Sequence, residues 1–198
     1  MPRPGVPDPY RTKARAEGFV ARAVYKLQAI DAKHRLLRPG LKVLDLGCAP
    51  GSWLQYLASR VGPGGLVVGV DLNPPAIELT PPMHFVQGEV GGEDLEAVTA
   101  LSASFDAVLS DMAPKTTGIR EVDQERSLNL ARAAWDWAMK LLKPGGHFLV
   151  KVFEGPGVEV LFKELAGAFK TCRRVKPPGS RAASKEMYLL AMNRKKPK

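Results

Sequence analysis

Val-Leu-Asp-Leu-Gly-Cys-Ala-Pro-Gly-Ser-Trp, residues Val43 to Trp53, decides how this chain is read. Lys42 to Leu46 is a short, nearly continuous apolar run of the kind that forms a buried parallel strand. A loop with Gly47, Pro50 and Gly51 follows, and Ser52 stands where a helix cap belongs, ahead of Trp53, Leu54, Tyr56, Leu57 and Val61. Strand, glycine-containing turn and helix build a ligand site at the carboxyl ends of an open α/β sheet. Glycines allow close backbone approach, and a helix N-terminus offers unpaired N–H groups. The next strand, Leu66 to Val70, runs into Asp71, 20 residues after Gly51, where a carboxylate can accept from both hydroxyls of a ribose.

The loop also discriminates between nucleoside cofactors. A dinucleotide fingerprint needs three glycines so that a pyrophosphate can rest on the helix N-terminus. This loop has two of them, and Asp45 just before the first would repel a pyrophosphate. A carboxylate there suits a cation, and S-adenosylmethionine carries a sulfonium and an ammonium but no phosphate. The expected donor-contacting positions here are Asp45, Gly47, Gly51 and Ser52, with Asp71 on the ribose. The plain alternative is ordinary turn chemistry between two elements.

The chain's 198 residues, 45% hydrophobic, suit a single domain over 1–198. No apolar run approaches membrane-spanning length, and the start, Met-Pro-Arg-Pro-Gly, has no hydrophobic signal region. Cys48 and Cys172 are too few for a disulfide framework or a zinc site, so a reducing cytoplasm and no metal are expected. The net charge of +9 is unevenly spread. Residues 1–42 hold ten Lys/Arg and three acids, and 166–198 hold ten and one, whereas 43–165 hold nine and sixteen. Two basic ends around an acidic middle would make a positive face for a polyanion if they fold together. Basic ends can also be merely solubilising, as for 194–198.

Residues 1–10, with four prolines and a glycine, read as a flexible arm. A basic helical region spans 11–38, its helix running from Arg11 to Arg35 with Val20, Ala23, Val24, Leu27 and Ile30 facing the core. Further strands are expected at His84–Val86, Phe105–Leu109, His147–Phe153, Arg173–Val175 and Glu186–Met192. Helices are expected at Glu93–Leu101, Val122–Leu142 and Val158–Phe169. In the long helix Leu128, Ala131, Trp135, Ala138 and Leu142 form the core side, with Trp135 as core and Trp137 as surface packing. Glu89, after the third strand, is placed to read an adenine amino group. The alternation specifies a Rossmann-like α/β fold: a mostly parallel, doubly wound sheet of seven strands with helices on both faces, the last two strands making a hairpin edge.

Four polar residues exceed what a core needs: Lys26, Asp111, Lys151 and Glu186. Lys151 interrupts the apolar strand Phe-Leu-Val-Lys-Val-Phe, where an unpaired ammonium is costly unless it snorkels out. Each residue singly could be a structural ion pair. Together with the loop they resemble the FtsJ (RrmJ-type) ribosomal RNA 2′-O-ribose methyltransferases. Carrying that resemblance are Asp-Leu-Gly-Cys-Ala-Pro-Gly-Ser-Trp, Ser-Asp-Met-Ala-Pro, Val-Lys-Val-Phe-Glu-Gly, Ser-Arg-Ala-Ala-Ser-Lys-Glu-Met-Tyr and Ala-Arg-Ala-Val-Tyr-Lys-Leu, in family order over about residues 11–193. The resemblance implies a catalytic Lys26-Asp111-Lys151-Glu186 tetrad, and donor binding by Gly51, Trp53, Asp71, Glu89 and Asp111. Glu89 departs from the Asp usual in close bacterial members. The implied substrate is a uridine of large-subunit ribosomal RNA; relatives modify tRNA or mRNA caps.

For methyl transfer, a ribose 2′-hydroxyl must be aligned and its proton managed. Lys151 is the chosen proton acceptor. Burial and a second ammonium favour the neutral amine; two carboxylates favour a charged lysine that steadies an alkoxide, and the residues alone leave both open. Phosphate contacts are expected from Arg22, Lys26, Arg35, Arg181 and Lys185, with Tyr25 either stacking on a base or packing. The expected protein is a monomer acting on RNA, most simply the large ribosomal subunit. The competing readings are a tRNA methyltransferase, a non-catalytic RNA-binding protein on this fold, and an NAD-dependent oxidoreductase.

Overall fold

A computed structural model describes residues 8–92, 94–178 and 185–196. Asp8 caps α1 (Pro9–Ala16), accepting from the Tyr10 backbone N–H at 3.1 Å. α2 (Val24–His34) buries Val24, Leu27 and Ile30 and ends at Arg35 in the left-handed region. β1 (Lys42–Leu46) follows, with Val43, Leu44 and Leu46 fully buried, as a strand covered on both faces requires. The other elements are α3 (Ser52–Val61), β2 (Leu66–Asp71), β3 (Met83–Gln87), α4 (Leu95–Leu101), β4 (Phe105–Ser110), α5 (Arg120–Leu141), β5 (Leu142–Phe153), α6 (Val158–Ala168), β6 (Phe169–Val175) and β7 (Glu186–Arg194).

The seven strands form one sheet in the order β3-β2-β1-β4-β5-β7-β6. The first five pair in parallel; β7 runs antiparallel between β5 and β6. The order reverses at β1, so the carboxyl ends of β1 and β4 flank the crevice where open sheets of this kind bind ligands. One face packs Leu27, Ile30, Leu54 and Leu57 of α2 and α3 against Val43, Leu109 and Tyr188. The other packs Val98, Ala131, Trp137 and Leu161 of α4, α5 and α6 against Leu44, Val108 and Leu189. Helices therefore cover both faces, as expected.

Several expectations need correction. The region from 11 to 35 is two helices, not one: Gly18 at φ 81° breaks it, and Val20 is 38% exposed rather than in the core. Residues 8–10 of the expected arm belong to the start of α1; the remainder lies outside the described residues. Gly51, not Ser52, is the N-cap of α3, and Ser52 makes no capping hydrogen bond. In α5 Trp137, expected at the surface, is 2% exposed, while Trp135 packs half-buried against the core rings of Phe148 and Phe169. β5 begins at Leu142, paired with Phe105, and a register shift absorbs Pro144-Gly145-Gly146 before His147 meets Ala107.

Candidate active site

At the end of β1 the chain turns beneath β2. The backbone N–H groups of Gly47 and Cys48 donate to the Val70 carbonyl at 2.8 and 3.2 Å. Gly47 sits at φ 78°, and a Cβ there would lie 2.4 Å from Met112 Cγ, so only glycine fits. Gly51, at φ 113°, brings the loop to the N-terminus of α3. Asp71 fixes the loop from β2: Oδ2 accepts from Ala49 N at 3.0 Å and Oδ1 from Asn73 N at 2.9 Å. Each oxygen keeps a lone pair for a further donor.

Asp45 is fully buried, and neither carboxylate oxygen has a hydrogen-bond partner among the described residues. Burial first, then the charges of Asp111 and Asp71, push its carboxyl well above the usual carboxylate range. Three carboxylates thus converge electrostatically behind a glycine loop, an environment that favours a cation and opposes a phosphate. Among the described residues no group of His, Cys, Asp or Glu side chains is arranged to hold a metal ion. Cys48 is 3% exposed, and burial followed by Asp45 and Asp71 pushes its thiol up, so it lines the loop as a thiol rather than a nucleophile.

Trp53 is 3% exposed, gives its indole N–H to the Ala23 carbonyl at 3.0 Å and stacks on Tyr188 with centroids 6.2 Å apart. Its side chain is a strut from α3 to α2 and β7. Glu89 is exposed, its backbone N–H held by Asp94 Oδ2 at 2.9 Å.

The four singled-out polar residues come together as two ion pairs. Lys26 Nζ lies 3.0 Å from Glu186 Oε2. Lys151, 6% exposed, lies 3.0 Å from Asp111 Oδ1 and donates to the Asp111 backbone carbonyl at 2.5 Å. β5 and β7 explain the placement: their register sets Lys151 opposite Tyr188 and Phe153 opposite Glu186. Tyr188, absent from the sequence-derived set, links the pairs. Its hydroxyl donates to Asp111 Oδ1 at 2.5 Å, and Lys26 Nζ stands 6.0 Å from its ring centroid. Burial, then Asp111 and Glu186, hold its phenol well above the usual tyrosine range, so it remains a donor. The available signal was its position two residues after Glu186, hence on the same face of the strand.

The expected RNA contacts divide. Lys185 is exposed and lines, with Arg120, Gln124, Phe153 and Glu186, a cavity of about 270 Å³ beside the tetrad. Arg35 is exposed, whereas Arg22 is tied to Asp8 at 2.8 Å. Tyr25 packs on α1, its hydroxyl on Glu17 at 2.9 Å and Lys13 over its ring. Arg181 lies outside the described residues.

The chain matches the model of a family described as FtsJ-like methyltransferase over residues 19–194. It is 46% identical over 191 residues to a Coxiella burnetii (strain CbuK_Q154) protein named Ribosomal RNA large subunit methyltransferase E, covering 93% of this chain and 89% of that protein. A protein of the same name from Syntrophobacter fumaroxidans is 44% identical over 192 residues, 96% of this chain and 98% of the relative. A crystal structure from Plasmodium falciparum described as a ribosomal RNA methyltransferase superposes with a TM-score of 0.76 at 28% identity, covering 88% of this chain and 97% of that one.

Proposed function

The chain belongs to the FtsJ-like methyltransferase family, and on that premise we propose that it methylates a ribose 2′-hydroxyl, on a uridine of large-subunit ribosomal RNA, with S-adenosylmethionine as donor. The observation that carries this reading is the fully buried, partnerless carboxylate of Asp45 beside the Lys151-Asp111-Tyr188 network. A cationic donor supplies the partner that Asp45 lacks; a dinucleotide would bring a pyrophosphate to the same carboxylate. Asp45, Gly47, Gly51, Ser52 and Asp71 would hold the donor, Asp71 through its ribose and Glu89 at the adenine. When bound, the donor supplies an activated methyl group that needs no further electrophilic assistance.

The protein's work is to place the 2′-oxygen and remove its proton. Lys151 Nζ has two of its directions fixed by the Oδ1 and backbone carbonyl of Asp111. The remaining direction is the one a 2′-hydroxyl meets. Lys151 would accept the hydroxyl proton as the O–C bond forms and the methyl–sulfur bond of the donor breaks, and the contacts to Asp111 would hold the ammonium that results. Tyr188 donates to the same Oδ1 that Lys151 meets, which holds that carboxylate oxygen in place. Lys26, held by Glu186, steadies the target nucleotide's backbone. The described residues contain no helix long and apolar enough to cross a membrane. A ribosomal substrate supports a cytoplasmic location for the protein.

The test supplies labelled S-adenosylmethionine with ribosomal particles and tRNA from cells lacking this protein. Label recovered from large-subunit RNA in an alkali-resistant 2′-O-methyl dinucleotide is the expected result. Label in tRNA overturns the substrate, label in a base overturns the chemistry, and donor binding without transfer supports a non-catalytic RNA-binding protein.

A further inference from the structure

One edge strand of the sheet is β6, and a groove of about 560 Å³ lies along it. Lys33 and His34 from the end of α2 line one side, Glu159 and Phe162 of α6 the other, with Cys172 to Lys176 as its floor. Four cations face one carboxylate, and that carboxylate is engaged: Glu159 pairs with Arg174, whose guanidinium lies 4.8 Å from the Phe162 ring centroid. Lys33, Arg173 and Lys176 form no ion pair among the described residues. Elsewhere Arg22, Arg60, Arg132 and Lys143 each have a carboxylate partner.

His34 adds an independent observation. Its Nε2 is buried without a hydrogen-bond partner among the described residues. Burial first, then Arg173 and Lys33, hold its ring below the usual histidine range. Cations at the end of a helix complement its dipole, and charges on an edge strand deter pairing with another sheet. Those roles explain scattered charges; they do not explain why Lys33, Arg173 and Lys176 converge on one concave groove.

The edge also leads to the tetrad. Val175 pairs with Tyr188, so Arg173 stands two residues, about 7 Å, further along the same strand. Accepting the proposed RNA substrate, we infer that this groove seats a backbone phosphate of the RNA next to the target nucleotide, bound by Lys33, Arg173 and Lys176. It is a specific anchoring point, distinct from the cavity beside Glu186.

The variant Lys33→Gln/Arg173→Gln/Lys176→Gln tests this, with Arg173→Lys as the conservative control and thermal unfolding to verify folding. Binding to a mixed-sequence single-stranded RNA oligonucleotide is measured against salt, and methylation kinetics on large ribosomal subunits. The triple variant is expected to bind RNA on the order of tenfold more weakly, with a salt slope reduced by about 0.7, the value for one phosphate contact on a single strand. KM for subunits rises, while kcat and donor affinity hold; Arg173→Lys behaves as wild type. Wild-type affinity and slope in the triple variant overturn the inference. So does a defect confined to intact subunits with normal oligonucleotide binding, which would mark a contact with a ribosomal protein. Should the wild type bind RNA but transfer no methyl, the activity reading fails, while the slope still decides the groove.

Discussion

Replacing Asp45 by Asn should make the protein more stable and a worse enzyme, and the two effects have one cause. Asp45 is fully buried and neither oxygen has a partner among the described residues, so ionising it without a ligand is costly. Its folded-state carboxyl is raised by burial, then by Asp111 and Asp71. In the unfolded chain the group titrates near the ordinary value of about 3.9. Between those values the folded state binds the extra proton, so stability falls as pH rises. The contribution is fully present below about pH 3.9 and is lost as pH climbs to the raised folded value. One such proton gives a slope of up to about 1.4 kcal/mol per pH unit. At roughly 2–4 °C per kcal/mol for a chain of this size, that is roughly 3–6 °C in Tm per pH unit. Asn keeps the shape and removes the titration. The assay is thermal unfolding of both proteins from pH 5 to 8, with and without S-adenosylmethionine. The Tm advantage of Asp45→Asn should grow with pH, and saturating donor should diminish it. Donor affinity of the variant should fall by about tenfold or more, the equivalent of 1.4 kcal/mol. A Tm difference that does not change across this range would refute the reasoning.

Three other substitutions test separate parts of the site. Lys151→Arg keeps the charge but cannot give up a proton, so single-turnover methylation should fall by about 100-fold or more with donor binding intact; a near-wild-type rate would assign Lys151 a purely electrostatic role. Tyr188→Phe removes the 2.5 Å hydrogen bond to Asp111, and urea unfolding should show a loss of about 1.5–3 kcal/mol; an unchanged midpoint would contradict the linking role of the hydroxyl. Gly47→Ala places a Cβ 2.4 Å from Met112 Cγ at a left-handed φ, and should cost about 1–3 kcal/mol and weaken donor binding; wild-type values for both would show that the loop yields.

Much of this architecture was legible because each strand is short, apolar and bounded by Gly, Pro or a carboxylate. Strands β1, β2 and β4 fall within one residue of their expected ends, and the four polar residues meet as the motifs implied. What escaped depends on tertiary context. The insertion of β7 between β5 and β6 is a pairing choice that leaves no local signal. The buried side of α5 includes Asp123, Gln124 and Ser127, polar residues that the packing accepts because they bond loops: Asp123 receives Thr117 and Gly118, and Ser127 holds Phe153 N. Helical periodicity therefore found Leu128, Ala131, Trp135, Ala138 and Leu142, all in or against the core, but missed these polar positions and left Trp137 on the surface. Likewise Asp31, 2% exposed, carries no local sequence signal, yet accepts from Leu37 N, Tyr56 and Arg60 and fastens α2 to α3. Tyr188 was hidden because a buried tyrosine in a strand looks like core until its hydroxyl partner is known.

The most direct measurement of the central claim compares wild type and Lys151→Ala on undermethylated large ribosomal subunits, with labelled S-adenosylmethionine and donor affinity measured on the same samples. The account predicts 2′-O-methyl incorporation into large-subunit RNA by the wild type only, with donor affinities that match. Normal methylation by Lys151→Ala, with normal donor binding, would contradict it.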